Sequence, residues 1–185
     1  MTKRVIVAAG MICLAVGCTK KPEELGGKNS PSSSDKDNKF ITTAAEADMT
    51  EIQTGEMADK QSMSPEVKAY GKMIVEDHKK ATAEVAKAAT AVGATPPPEL
   101  DSEHMKIVDD VKGKTGSDFD KAFIDDQIKA HKEALDAAMD EQKDGTNPQV
   151  KELATALIPT LQKHLSDAKG LKEKMSDATT KPVGM

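Results

Sequence analysis

Histidines at positions 78, 131 and 164 each fall where a helical repeat places them on an apolar face, and Glu51 falls on the apolar face of a fourth segment. Neutral imidazole binds zinc, copper and iron, and a carboxylate can complete such a ligand set. Three histidines and one glutamate on four facing stripes therefore make a candidate mononuclear metal or small-ligand site. A di-iron centre in a helical bundle asks for more, namely a glutamate on two helices and a Glu-x-x-His pair on the other two. Here Val75, Ile128 and Leu161 stand three places before the three histidines, so the paired motif is absent each time. The same residues also have a plainer reading, in which each histidine is a buried polar group bonded to a carbonyl or carboxylate of a facing helix. No glycine-rich phosphate loop follows a strand, and no serine or thiol has a triad context, so enzymatic nucleophile chemistry has no support.

The stripes belong to four long helical segments. The first is predicted from about Phe40 to Ser62, with Phe40, Ala44, Ala47, Glu51, Gly55 and Ala58 on one face. The second opens at Ser64-Pro65-Glu66, a serine N-cap followed by proline at the first helical position. It carries Val67, Tyr70, Ile74, His78, Ala81 and Val85 before Gly93 stops it. Pro96-Pro97-Pro98 forces an extended stretch, and Leu100 to Lys112 makes a short connecting helix that includes His104, read as a surface residue. The third long helix is predicted from Ser117 to just before Gly145, aligning Phe123, Ile124, Gln127, His131, Leu135 and Ala138. The fourth starts with Asn147 as cap and Pro148 after it, aligning Val150, Leu153, Leu157, Leu161, His164 and Ala168.

Short turns near Met63 and Gly145 give two helical hairpins, joined by one connection of about twenty-five residues. That loop pattern predicts an all-α, ferritin-like four-helix bundle with a long helix-containing crossover between helices 2 and 3. An up-down bundle with an inserted helix is the alternative. The bundle is expected over residues 40–176, with a disordered tail over 177–185. Its core should be thin, because alanine dominates the stripes and the aromatic residues are three phenylalanines and one tyrosine.

The N-terminus carries an address rather than a fold. Lys3 and Arg4 precede an apolar run from Val5 to Val16, and Leu14-Ala15-Val16-Gly17-Cys18 closes it. About twelve apolar residues are too few for a membrane-spanning helix, which needs about twenty, so residues 1–17 are predicted to be a signal peptide. The end of the run resembles a bacterial lipoprotein signal, in which Cys18 becomes the lipidated first residue of the mature chain. Ala15 stands where that pattern usually has leucine, and a plain secretory signal is the alternative. Thr19 after the cysteine resembles the sorting signal for the outer membrane, so the expected place is the cell envelope, lipid-anchored and facing the periplasm. Residues 18–39, rich in Lys, Pro, Gly, Ser and Asp, read as a flexible tether. With Lys3 and Arg4 removed the chain carries a net charge of −7, which argues against nucleic acid as a partner. The membrane, through the acyl anchor, is the expected partner.

Several motifs together resemble the bacterial envelope family DUF4142, a domain of unknown function. They are Glu51-Ile52-Gln53-Thr54-Gly55-Glu56-Met57-Ala58, Pro65-Glu66-Val67-Lys68 leading to Met73-Ile74-Val75-Glu76-Asp77-His78, Phe119-Asp120, Ala130-His131, and Leu157-Ile158-Pro159-Thr160-Leu161 followed by His164-Leu165. The resemblance covers about Phe40 to Leu171 and implies a ferritin-like fold. It carries over Glu51, His78, His131 and His164 as matching positions, and it implies no reaction. Tyr70-Gly71 departs from the phenylalanine and alanine usual there, and Gly71 should cost its helix up to about 1 kcal/mol relative to alanine. Two functions follow as expectations: a lipid-anchored bundle that binds zinc, copper or iron or a small ligand, or a non-catalytic interaction or stress-protective module whose histidines are structural.

Overall fold

The computed structural model describes residues 34–180; the expected signal segment, Cys18 and most of the expected tether lie outside them. Within these residues the chain is an all-α helical bundle of five helices, α1 (Asp35–Gln61), α2 (Pro65–Val92), α3 (Ser102–Lys112), α4 (Gly116–Asp144) and α5 (Pro148–Thr180). Most helix ends fall within two residues of the sequence reading, and the larger differences are at two of them. Helix α1 starts at Asp35 rather than near Phe40, because Ser34 and Asp37 form a reciprocal capping box that satisfies otherwise orphaned N–H groups. The same Asp37 carboxylate accepts from the backbone N–H of Thr146 at 2.9 Å and of Asn147 at 3.2 Å, tying the start of α1 to the α4–α5 turn. Burial alone would raise the Asp37 pKa, yet the bonds from Thr146 and Ser34 together hold it well below the usual carboxylate range. At the other end, α5 runs to Thr180 rather than stopping at 176.

Helix α1 packs on α2 and α4, and α5 packs on the same two, so the long helices neighbour one another in the cyclic order α1, α2, α5, α4. Neighbours run antiparallel. Asp48 meets His78 while Gly55 meets Gly71, and His131 meets His164 while Gln142 meets Thr155. Lys36 reaches Asp140 while Glu51 meets Gln127, so α1 opposes α4 as well. Helices α2 and α4 must then point the same way, and the link between them has to travel back along the molecule. Helix α3 lies on that return path, packed chiefly on α1 and also on α4, with Val108 and Val111 buried.

Gly71 has a packing reason that outweighs its helix propensity. A Cβ there would lie 2.7 Å from the Ala58 Cβ and 2.9 Å from the Gly55 carbonyl oxygen, so α1 and α2 touch backbone to backbone at this crossing. The interior splits into two apolar clusters. One is built from Phe40, Ile41, Val85, Val150, Leu153 and Leu161, and the other from Val67, Tyr70, Ile74, Phe119, Phe123 and Ile124. Phe119 stacks on Phe123, and Tyr70 meets Phe123 edge-on at 6.1 Å.

Candidate metal centre

Between the two apolar clusters lies a layer of buried polar side chains: Asp48 and Glu51 from α1, His78 from α2, Gln127 and His131 from α4, and His164 from α5. Helical spacing puts them there. Ile74 and His78, Ile124 and His131, and Leu161 and His164 are separated by three, four or seven places, so each polar group shares its face with core residues. Burying such groups costs free energy unless they are bonded or paired. Their partners therefore decide what the layer can do.

The three imidazoles converge. Ring centroids lie 5.6 Å apart for His78 and His131, 5.5 Å for His78 and His164, and 5.1 Å for His131 and His164. One ring nitrogen from each lies within 4.8 Å of the other two. The remaining nitrogens all point outward to acceptors. His78 Nδ1 donates to Asp48 Oδ1 at 2.8 Å, His131 Nδ1 to the Gln127 backbone carbonyl at 2.9 Å, and His164 Nε2 to Asp77 Oδ2 at 3.2 Å. A second bond of this kind, to a carboxylate or a carbonyl, is what fixes the tautomer and orientation of metal-bound histidines.

The proton count follows from those partners. A carbonyl or carboxylate oxygen only accepts, so each outward nitrogen carries the proton and each neutral ring turns a lone pair inward. His78 Nε2 is buried with no hydrogen-bond partner. His131 Nε2 and His164 Nδ1 lie 3.1 Å apart, lone pair against lone pair in the neutral rings. A cation held among the three nitrogens relieves both conflicts. Burial, then the neighbouring His78 charge, lowers the His131 pKa to about 4; burial and then His131 lower that of His164 to about 4. Both rings are thus neutral near pH 7. Burial opposes a charge on His78, but the Asp48 bond and the carboxylates of Glu51, Asp48 and Asp77 outweigh it and raise its pKa. Positive charge is favoured at this point in the interior.

Of the four residues predicted from the sequence, the structure brings three together and holds the fourth beside them. Glu51 lies outside the convergent set of ring nitrogens, and its Oε2 accepts from the Gln127 side-chain amide. Burial raises its pKa, with His78 and Gln127 acting against that. Asp77, its side chain 29% exposed, is the partner of His164. Asp48 carries no signal of its own in the sequence, although it shares the buried face of α1 with Glu51, three places on. His104 is half-buried rather than on the surface, and with Glu46 and Asp101 forms a second, more open group. Its ring donates to the Asp101 carboxylate that also caps α3, so that geometry already has a structural role.

A family profile for DUF4142, a domain of unknown function, matches residues 23–171. The chain belongs to the DUF4142 family. No curated protein matches this DUF4142 chain. Among solved structures it is similar to the crystal structure of a DUF305 fragment from Deinococcus radiodurans, at 14% identity and a TM-score of 0.67, covering 77% of this chain and 99% of that one. At that identity the likeness speaks for a shared helical fold. His78, His131 and His164 of this DUF4142 chain all lie within the matched residues.

Proposed function

We propose that this protein is a lipid-anchored envelope component, attached through Cys18, whose ferritin-like four-helix bundle holds one transition-metal ion. His78 Nε2, His131 Nε2 and His164 Nδ1 would be the ligands. The single observation that carries the reading is the convergence of three buried imidazoles, one ring nitrogen of each within 4.8 Å of the other two, while the opposite nitrogen of each is held from outside by a carbonyl or carboxylate oxygen. The antiparallel order of the long helices and the returning connection support the ferritin-like assignment. Metal–nitrogen bonds of about 2.0–2.1 Å put the ligand atoms of a tetrahedral site about 3.3 Å apart. The His131–His164 pair is already near that separation at 3.1 Å, and His78 has to close in from within 4.8 Å. Three imidazoles suit zinc, copper or iron and leave a coordination position free for an outside molecule.

The test uses the mature chain purified without a histidine tag. One zinc, copper or iron per chain, a raised melting temperature, and loss of both in the His78→Ala/His131→Ala/His164→Ala variant are expected. Asp48→Asn should keep the ligands yet lower affinity about 10- to 100-fold, because it weakens the bond that orients His78. A chain that takes up none of the three metals, with no thermal shift, overturns the reading. In that case the non-catalytic module remains, a view favoured by the outer hydrogen-bond partner that each of the three rings already has.

A further inference from the structure

An apolar void adjoins the histidine cluster on the side toward Phe40. Its volume is about 60 Å³, and its walls include Ala44 and Ala47 of α1, Ala134 and Ala137 of α4, and Leu157 and Leu161 of α5. At one end the void meets His78 and His164, together with their partners Asp48 and Asp77. At the other its lining reaches Thr43 and Thr160, which are exposed, so the space communicates with the surface.

Size and chemistry restrict what can enter. One water-sized sphere needs roughly 10–15 Å³ of such space, while an apolar cavity of roughly 150 Å³ is what accepts a benzene ring. A space between those limits takes a molecule of two or three heavy atoms. The alanines and leucines of the wall offer no hydrogen bond, so a charged guest would lose its hydration without replacement. The carboxylates of Asp48 and Asp77 repel anions in particular; Asp48 Oδ1 and Asp77 Oδ2 are bonded to the histidines, and Asp48 Oδ2 is buried without a hydrogen-bond partner. Alanine matters here for what it lacks. Leucine or methionine, common elsewhere in helical cores, would fill this space, whereas a row of alanines from facing helices keeps it open beside His78 and His164.

We infer that the void is the access route and binding space for a small uncharged molecule of diatomic size, which reaches the free coordination position of the metal held by His78, His131 and His164. The inference rests on the metal reading above, and its test separates the two. In the first arm, xenon-129 resonance shifts are followed in the metal-free chain, since xenon probes an apolar void with no metal present. A saturable site in the natural chain, lost in Ala134→Leu and in Ala44→Leu, is expected; the absence of a saturable site in the natural chain overturns the proposal. In the second arm, the chain is loaded with Fe(II) without oxygen, bound iron is counted, and nitric oxide is added while the paramagnetic resonance of the iron–nitrosyl adduct is read. The natural chain should form the adduct, azide should leave the iron unchanged, and each leucine variant should keep its iron yet bind nitric oxide at least tenfold more weakly. Iron that binds while nitric oxide does not, or binds equally in both variants, or is matched by azide, sinks this inference and leaves the metal site standing. A chain that takes up no iron leaves the xenon arm to decide whether the space exists, and strikes at the metal reading instead. Two leucine positions on different helices guard against one variant failing to fold.

Discussion

Glu141 shows what a buried carboxylate does without a cation to serve. Both of its oxygens are buried without a hydrogen-bond partner, and burial followed by the adjacent Asp37 carboxylate pushes its pKa up to about 7, from an ordinary 4.5. In the range between those two values the folded chain binds a proton that the unfolded chain has released, so acidification through it stabilises the fold. Above about pH 7 both states are ionised at this residue and the penalty is fully present. Glu141→Gln removes the ionisation and keeps the shape. It should therefore leave stability nearly unchanged below pH 4.5 and raise it at pH 8 by about 1–3 kcal/mol, read from urea unfolding at both pH values. Glu141 had no signal in the sequence, because a glutamate near a helix end reads as solvated until the opposite helix is known to cover it. The histidines were legible for the converse reason, standing among leucines and alanines where a surface residue would not. Asp48 and Asp77 became functional candidates only through contacts between helices, 30 and 87 places apart along the chain.

At the scale of the helices, caps and stop residues fixed most boundaries before any packing was known. Ser64 with Pro65 opens α2 and Gly93 closes it with φ near 72°, while Asn147 and Pro148 open α5, all at the expected places. The start of α1 is not legible in the sequence, because a Ser-Asp-rich stretch resembles a tether in composition. What orders it is the Asp37 carboxylate reaching across to Thr146 and Asn147, a contact that composition does not carry. Gly71 is another such case, since in sequence it reads only as a weakness of α2. Helix propensity alone predicts that Gly71→Ala stabilises by up to about 1 kcal/mol. The crossing with α1 predicts the reverse, because the new methyl meets the Ala58 methyl carbon and the Gly55 carbonyl at distances that force the helices apart. Overpacking of this kind typically costs about 1–3 kcal/mol, so a lower urea midpoint with an unchanged slope is expected. An equal or higher midpoint would show that α1 and α2 are free to separate at this point.

For the molecule as a whole, the polar layer divides one hydrophobic core into two, and both halves are modest. Aromatic residues make up 2% of the chain, and each buried alanine removes little apolar surface from water. A bundle selected for stability alone would fill the middle with leucine, since replacing a buried ionic cluster by apolar side chains of similar volume is often neutral or stabilising by about 1–4 kcal/mol. The layer is therefore expected to oppose folding in the metal-free chain and to be offset when metal binds. The combined variant Asp48→Leu/His78→Leu/His131→Leu/His164→Leu tests this, because it joins the two apolar clusters while leaving the Glu51–Gln127 pair in place. It should unfold at higher urea than the metal-free natural chain and show no response to added zinc, copper or iron. The natural chain should gain about 2.7 kcal/mol at a free metal concentration one hundred times its dissociation constant, a gain of the same order as the advantage expected for the leucine variant. If the leucine variant is instead less stable than the metal-free chain, the histidine layer contributes to folding through its own hydrogen bonds, and the structural-module reading gains over the metal centre.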